Sequence, residues 1–494
     1  MLTIEEIKTF IDEDARSIKK QLAKTGQRYY EGDHDIKNYQ LYYFNADGQL
    51  VEDKNRSNIK ISHPFFTELV DQEVQYMLSG KDGFVRSDLP ELQTKLDEYF
   101  NENEDFTSEL YEVLTGAIAK GFEYMWAYKK ADGTTAFKCA DSIGVVEVEA
   151  KYTSDKKPYI IYWYVERINK EGELVKKIIV FDEDFAYYFQ QTGSYDIVEA
   201  ENEEGRHQVA HAEYTKDKSG EIYYESLGFL PFFRLDNCKK QFSGLKTIKN
   251  LIDDYDLMSC GLSNNIQDAS EYLVVVKGFQ GDNMEELIQN IRTKKHIGVD
   301  GDSGGDVDFK TVDIPTAARQ AKLDLDEKNI YRFGMGFNSA QLGDGNITNV
   351  VIKSRYALLD LKCNKLEIRL KQFLRKILKV VLNEINDTNG TDYQQKDVYF
   401  VFKREVMTNA ADNAQIELVD AQKQQVLINT LLSLSGTLDD ETITQNICDA
   451  LDIDYEKIKS KLPKDELAEA QNALNNVVVD DEQQTEGSPT ITTE

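Results

Sequence analysis

One apolar stripe runs unbroken through residues 349–385 and limits what the rest of the chain can be. From Ile352 the apolar positions fall at Tyr356, Leu359, Cys363, Leu366, Leu370, Phe373, Ile377 and Val380, in alternating steps of four and three residues. That rhythm keeps one side of an α-helix against one partner surface. At about 1.5 Å per residue, a helix from Asn349 to Ile385 is roughly 55 Å long. Directly before it stands a glycine-punctuated polar loop, Gly334-Met-Gly-Phe-Asn-Ser-Ala-Gln-Leu-Gly-Asp-Gly-Asn-Ile-Thr348. A beam of this length beside a mobile loop suits a subunit of a large ring better than an ordinary enzyme.

The elements before the beam can be read by period and cap. Thr3-Ile-Glu-Glu6 has capping-box spacing, and Ile4, Ile7, Ile11, Ala15, Ile18 and Leu22 follow on one helical face that stops near Tyr29-Tyr-Glu-Gly-Asp-His-Asp-Ile36. Further helices fit Phe65 to Leu78, closed by Gly80, then Leu89 to Asn101 and Phe106 to Lys120. From Glu123 to about Phe233 the pattern turns to period two and to β-branched and aromatic runs such as Tyr159–Val165 and Lys177–Phe181, which predict antiparallel strands. Turns are expected at Ala131-Asp-Gly133 and Lys170-Glu-Gly172, and the acidic run Glu199–Gly205 reads as a solvated loop.

A helix follows from Leu245 to about Ala269, striped by Leu245, Ile248, Ile252, Tyr255, Ser259, Leu262 and Ile266. A strand, helix, strand insert comes next: Tyr272–Lys277, Met284–Lys295 and Val307–Val312. Pro315 suits a first helical turn, and Thr316 to Phe333 returns as a helix, so two helices enclose a small α/β insert. After the loop and the beam come a strand at Asp397–Phe402 and a helical region from about Thr408 to Leu474. The segment Asp480–Glu494 has too few apolar residues to form a core and is expected to be disordered. The fold class that results is α+β.

This order resembles the portal proteins of tailed bacteriophages, in particular the type of long-tailed phages of Gram-positive hosts. The similarity is carried by the Tyr29–Ile36 turn, by Asn58-Ile59, by Val70-Asp71 with Tyr76 and Gly80, by Leu227–Asn237 before the first hairpin helix, and by Ser435–Thr442. One departure is Cys139-Ala-Asp-Ser142, where relatives often place a proline, which leaves the local turn open. The resemblance implies a dodecameric homo-oligomer at one capsid vertex of the virion, assembled in the host cytoplasm. Double-stranded DNA would be packaged and ejected through it. Terminase, major capsid and scaffolding proteins, and a head-completion or tail adaptor would be the partners. Carried over by position, residues 1–240 with 349–404 form a wing, 241–269 and 315–333 two stem helices, and 270–314 a clip. Residues 334–348 form a tunnel loop, 405–474 a crown, and 475–494 an acidic tail.

The candidate channel residues are Gly334, Gly336, Asn338, Ser339, Gln341, Gly343, Asp344, Gly345 and Asn346. The glycines suggest movement, and a single charge among neutral polar groups suits transient contact with a passing phosphate backbone. Arg292, Lys294 and Lys295 form a basic cluster in the clip that could dock a partner. The long helix holds Lys353, Arg355, Lys362, Lys365, Arg369, Lys371, Arg375, Lys376 and Lys379 against only Asp360 and Glu367 up to Val380. These cations would meet either a neighbouring subunit or DNA.

The rest of the chemistry argues against catalysis. A net charge of −30, from 88 acidic and 58 basic side chains, argues against a general basic grip on nucleic acid, while an acidic wall lets a phosphate polymer slide past. No G-x-x-x-x-G-K-[ST] loop or H-E-x-x-H motif occurs, and Gly334-Met-Gly336 lacks the third glycine of a nucleotide loop. His207 and His211 read as surface histidines, the other three as isolated. Asp300–Asp308 lacks the twelfth-position glutamate of a calcium loop. Cys139, Cys238, Cys260, Cys363 and Cys448 are far apart and read as reduced, mostly buried thiols. No cofactor, metal, catalytic residue or membrane span is expected. The alternatives are an acidic metal-dependent nuclease and a fibrous scaffold built on the heptad helix. Asp253, Asp254 and Asp256 are the nuclease carboxylates to weigh, but neighbours on a helix point in different directions and cannot share a metal.

Overall fold

The computed structural model describes residues 1–45, 47–54, 56–80, 83–130, 132–167, 174–193, 195–202, 205–215, 222–269, 273–277, 285, 299, 304–310, 314–338, 349–405, 410–433 and 440–450. The chain forms two compact units, Met1–Asp344 with Lys353–Val406, and Gly345–Ile352 with Met407–Glu494.

The first unit starts with the capping box, complete at Thr3 and Glu6. The helix does not run through to Tyr29 as the isoleucine spacing predicts. Ser17 turns extended, its hydroxyl accepts from the Lys20 N–H, and two helices result, α1 (Ile4–Arg16) and α2 (Ile18–Tyr30). Ser17 caps the second helix, giving one of its first-turn donors the partner that the break takes away. Ile7 and Ile11 are buried, whereas Ile18 is exposed.

Helix α1 lies on a six-stranded antiparallel sheet. Val145–Val148, Tyr159–Arg167, Leu174–Phe181, Phe185–Thr192 and Val198–Glu199 are adjacent in that order, and Gln208–Ala210 also pairs with Phe185–Thr192. Both faces are covered. Ile161, Ile178 and Val180 pack with Ile7 and Ile11, while Ile160, Ile179 and Phe181 pack on the opposite face with Phe122, Tyr124 and Phe232. That explains the near-continuous apolar runs, because a strand buried on both sides has no polar face to alternate with. The Asp141–Gly144 turn forms without a proline: the Gly144 N–H donates to Asp141 O at 2.9 Å, and Lys120 Nζ lies 2.7 Å from Asp141 Oδ1. Buried Lys20 crosses to the Val145 carbonyl at 2.6 Å and to Asp14 at 3.0 Å. A small exposed hairpin, Tyr42–Phe44 paired with Leu50–Glu52, had no sequence signal that singled it out.

The main core gathers α3 (Phe65–Met77), α4 (Pro90–Leu96), which runs on into one π-helical turn Asp97–Asn101, and α5 (Glu104–Lys120) around the beam. The helical hairpin is α6 (Lys249–Ala269), entered through a 3-10 turn Gly244–Thr247, and α7 (Thr316–Gly334). Between them Leu273–Lys277 pairs antiparallel with Asp306–Lys310. The insert helix expected at Met284–Lys295, apart from Glu285, the Lys170–Gly172 turn and residues 300–303 lie outside the described residues, while Asp306 and Asp308 of the Asp300–Asp308 run sit on the second strand of this pair. Along α6, Leu245, Ile248 and Ile252 at the entry are buried, but Ile266 near the end is exposed.

The beam is α8, Asn349–Asn389, 41 residues long. Its stripe does not face a partner. Leu359, Cys363, Leu366, Leu370, Phe373 and Ile377 are buried in the chain's own core, each large side chain worth about 1.5–3 kcal/mol. The seam then moves from Val380 to Val381, Leu382 and Ile385, because a straight helix repeats every 3.6 residues and drifts off a 3.5 rhythm. Val398–Phe400 returns from the beam to pair with Val85–Ser87. In the second unit, α9 (Ala410–Ser433) and α10 (Asp440–Ala450) pack together, with Ile443 and Cys448 buried. Residues 451–494, the expected tail included, lie outside the described residues.

Candidate functional site

The hairpin helices run antiparallel, since Lys322 Nζ meets Asp254 while the Arg319 guanidinium lies against Gly261. Their base is fixed by an aromatic cluster. Tyr255 meets the rings of His63 and Phe65 at 4.8 Å each, and Phe65 meets Tyr331 at 5.9 Å.

At the same level a buried carboxylate joins the N-terminal segment to the hairpin. Asp256 has no exposed surface. Its Oδ2 lies 2.6 Å from His34 Nδ1, and its Oδ1 lies 2.8 Å from His63 Nδ1 and accepts the His63 N–H at 3.0 Å. Tyr29 stacks on His34 at 4.5 Å. Burial, the largest influence on Asp256, raises its carboxyl, but hydrogen bonds from His34 and His63 outweigh it and hold the group below its ordinary value. Asp253 instead accepts from Tyr29 and meets Lys249 at 2.7 Å, and Asp254 meets Lys322. The three aspartates thus turn to three different sets of partners, as helix geometry predicts. No group of three or more His, Cys, Asp or Glu able to hold a metal occurs among the described residues.

His34 and His63 are not isolated but converge on Asp256. His207 and His211 are half-buried rather than surface groups. His207 Nδ1 lies 3.1 Å from the Ala200 carbonyl, and His211 Nε2 2.9 Å from that of Asp182, with burial pushing the His211 imidazole down.

Where α7 ends, the first residues of the polar loop are held from several sides. Met335 takes a left-handed conformation with φ 57°, and the Gly336 N–H donates to Tyr331 O at 3.0 Å. The Gln72 amide on α3 brackets the next residue, accepting the Phe337 N–H at 3.0 Å and donating to its carbonyl at 2.7 Å. The Phe337 ring stacks on Tyr356 of the beam at 5.0 Å. Asn338 Nδ2 donates to Glu327 Oε1 at 2.7 Å.

Gly334 and Gly336 meet a demand that the sequence did not show. A Cβ on Gly334 would come within 2.6 Å of Leu69 Cδ1, and one on Gly336 within 2.0 Å of Leu69 Cδ2, so what these positions require is space. Of the candidate channel residues, Gly334, Gly336 and Asn338 are brought together in this clamp. Ser339, Gln341, Gly343, Asp344, Gly345 and Asn346 lie outside the described residues, as do Arg292, Lys294 and Lys295. Sequence reasoning missed Leu69, Gln72, Glu327 and Tyr356, which hold the loop's root.

The basic bias of α8 resolves in part within the chain. Lys362 Nζ meets buried Glu73 at 2.8 Å, Lys371 meets Glu367 at 2.7 Å, and Arg404 spans Asp360 at 2.6 Å and Glu367. All five cysteines are free thiols. No described helix is long and apolar enough to cross a membrane.

Against known proteins, the family profile "Phage portal protein, SPP1 Gp6-like" matches residues 8–473. This chain belongs to the SPP1-like phage portal family. It is 26% identical over 428 residues to the portal protein of Bacillus phage SPP1, covering 84% of this chain and 82% of the relative. To the portal protein of Clostridium phage phiCD119 it is 25% identical over 423 residues, covering 84% and 89%. Among solved structures, a chain of the "Neck of native GTA particle computed with C12 symmetry" is similar over 78% of this chain and 89% of that one. Its identity is 12% and its TM-score 0.39, too distant to add to the family assignment. The portal family is structural and non-enzymatic, which disposes of the nuclease alternative.

Proposed function

We propose that this portal-family chain closes into a ring of about twelve subunits at one capsid vertex, through which double-stranded DNA is packaged and later ejected. The reading rests on one observation: the family match runs from residue 8 to 473 and so takes in the hairpin, its insert, the loop and the beam together. In this reading residues 1–240 and 349–404 are the wing, 241–269 and 315–333 the stem, 270–314 the clip and 405–474 the crown. Residues 334–348 line the channel. The clip, with Arg292, Lys294 and Lys295, docks the terminase that supplies the chemical energy, and later a head-completion or tail adaptor. Capsid and scaffolding proteins surround the wing during assembly in the host cytoplasm.

The clamp divides the proposed channel loop in two. Residues 334–338 anchor it to α3 and the beam, and contact with passing phosphate falls to Ser339 through Thr348, where Asp344 is the sole charge. Replacing Gly343-Asp-Gly345 with three prolines stiffens that part without touching the anchor. Rings should form normally while packaged DNA shortens or leaks, read as packaged length in a complementation assay with annular particles checked by imaging. Full-length packaging with ordinary retention would make the loop a passive connector.

A further inference from the structure

The beam carries a second seam on the side away from the core. Leu361, Lys365, Ile368, Gln372, Arg375 and Lys379 succeed one another in steps of four, three, four, three and four residues, the rhythm of the buried stripe, and all six are exposed. Leu361 is 55% exposed and Ile368 61%, and they occupy equivalent positions one heptad apart, with Leu358 exposed beside them. Single exposed leucines are ordinary. A regular seam that begins with leucine and isoleucine around a lysine and continues in the long stems of glutamine, arginine and lysine is a pattern a helix presents to another protein.

Charge narrows the occupant. Asp360 and Glu367, the acids nearest this seam on the helix, are already engaged by Arg404 and Lys371. Lys365, Arg375 and Lys379 meet no acidic group among the described residues, in a chain carrying a net charge of −30. Phosphate recognition needs cations but gains nothing from exposed leucine and isoleucine, so DNA fits half of the seam. An acidic protein surface with apolar patches fits all of it, and a second copy of this chain supplies one.

We infer that the outer seam of the beam docks a second copy of this chain. The inference rests on the ring reading above and names the surface that closes the ring. The contact is heterologous: two seams laid against each other would oppose like charges, so the seam meets a different surface of the next copy, the arrangement that generates rings.

Two variants of the full chain test it: Leu361→Ser with Ile368→Ser, and Lys365→Glu with Arg375→Glu and Lys379→Glu. Ring fraction is read by native mass spectrometry, helix content by circular dichroism, and affinity for a short DNA duplex by fluorescence anisotropy. Both variants should keep helix content and lose ring fraction by at least about tenfold, while Lys365→Arg with Lys379→Arg keeps rings. Rings as abundant as those of the unaltered chain would overturn the inference. So would a loss of helix content, which places the seam inside the subunit's own fold, or intact rings with weakened duplex binding, which gives the seam to DNA. Monomers from the unaltered chain would instead overturn the ring reading itself.

Discussion

Asp256 and Gly336 are the two residues whose surroundings make the sharpest demands. Asp256→Asn removes a buried charge from between two imidazoles and should cost about 3 kcal/mol, seen as a lower melting temperature at neutral pH. Its acid dependence has a definite sign. The folded carboxyl titrates below its ordinary 3.8, so the unfolded chain binds the proton more readily. The stability Asp256 contributes is complete above about pH 4 and is lost as pH falls through the lower folded value. The unaltered protein should therefore lose stability on acidification more steeply than Asp256→Asn; parallel slopes would contradict the assignment. At Gly336, alanine puts a methyl 2.0 Å from Leu69 Cδ2 and should cost about 1–3 kcal/mol. Combined with Leu69→Ala, the loss should fall short of the sum of the single losses by at least about 0.5 kcal/mol, and strict additivity would show that Leu69 is not the obstacle. The divergence of Asp253, Asp254 and Asp256 was legible in the sequence because helix geometry alone decides it. The meeting of His34 and His63 on Asp256 was not, because they arrive from 222 and 193 residues away and no local pattern carries that distance.

Among the elements, the beam was the most legible, since its stripe repeats over about eight turns and only a helix satisfies it. Leu370→Asp puts an unpaired charge into the buried stripe and should cost more than about 4 kcal/mol, while Lys371→Ala, which loses one partly exposed pair with Glu367, should cost less than about 1 kcal/mol. Chemical denaturation of both variants checks this, and equal midpoints would mean that the buried face has been misassigned. What the stripe could not say was which surface it faces. A heptad pattern is the same whether the partner is another chain or the helix's own domain, and here the stripe is buried in the subunit's own core. Period also misled at the N-terminus, where Ser17 ends one helix and caps the next although isoleucines recur on both sides of it. The sheet was legible because both of its faces select β-branched and aromatic residues; the exposed Tyr42–Phe44 hairpin was not, because no buried face imposes a pattern on it.

At the scale of the whole molecule, element order carried more than any motif. Helix, insert, helix, loop and beam in that succession pointed to a portal before any site residue could, and the family match over residues 8–473 agrees. The proposed working surfaces are legible only as composition, since a loop that must contact every sequence passing it has no reason to hold a fixed set of side chains. Two faces of one helix then have separate tasks: the inner seam folds the subunit, and in the proposed ring the outer seam joins it to the next, with an acidic chain supplying both charge and counter-charge. The most direct test is the mass of the purified full chain at micromolar concentration, measured by native mass spectrometry with an end-on image of the same sample. An annular species of about twelve copies of the 56.6 kDa chain is expected; monomers, or open filaments that never close, would contradict it.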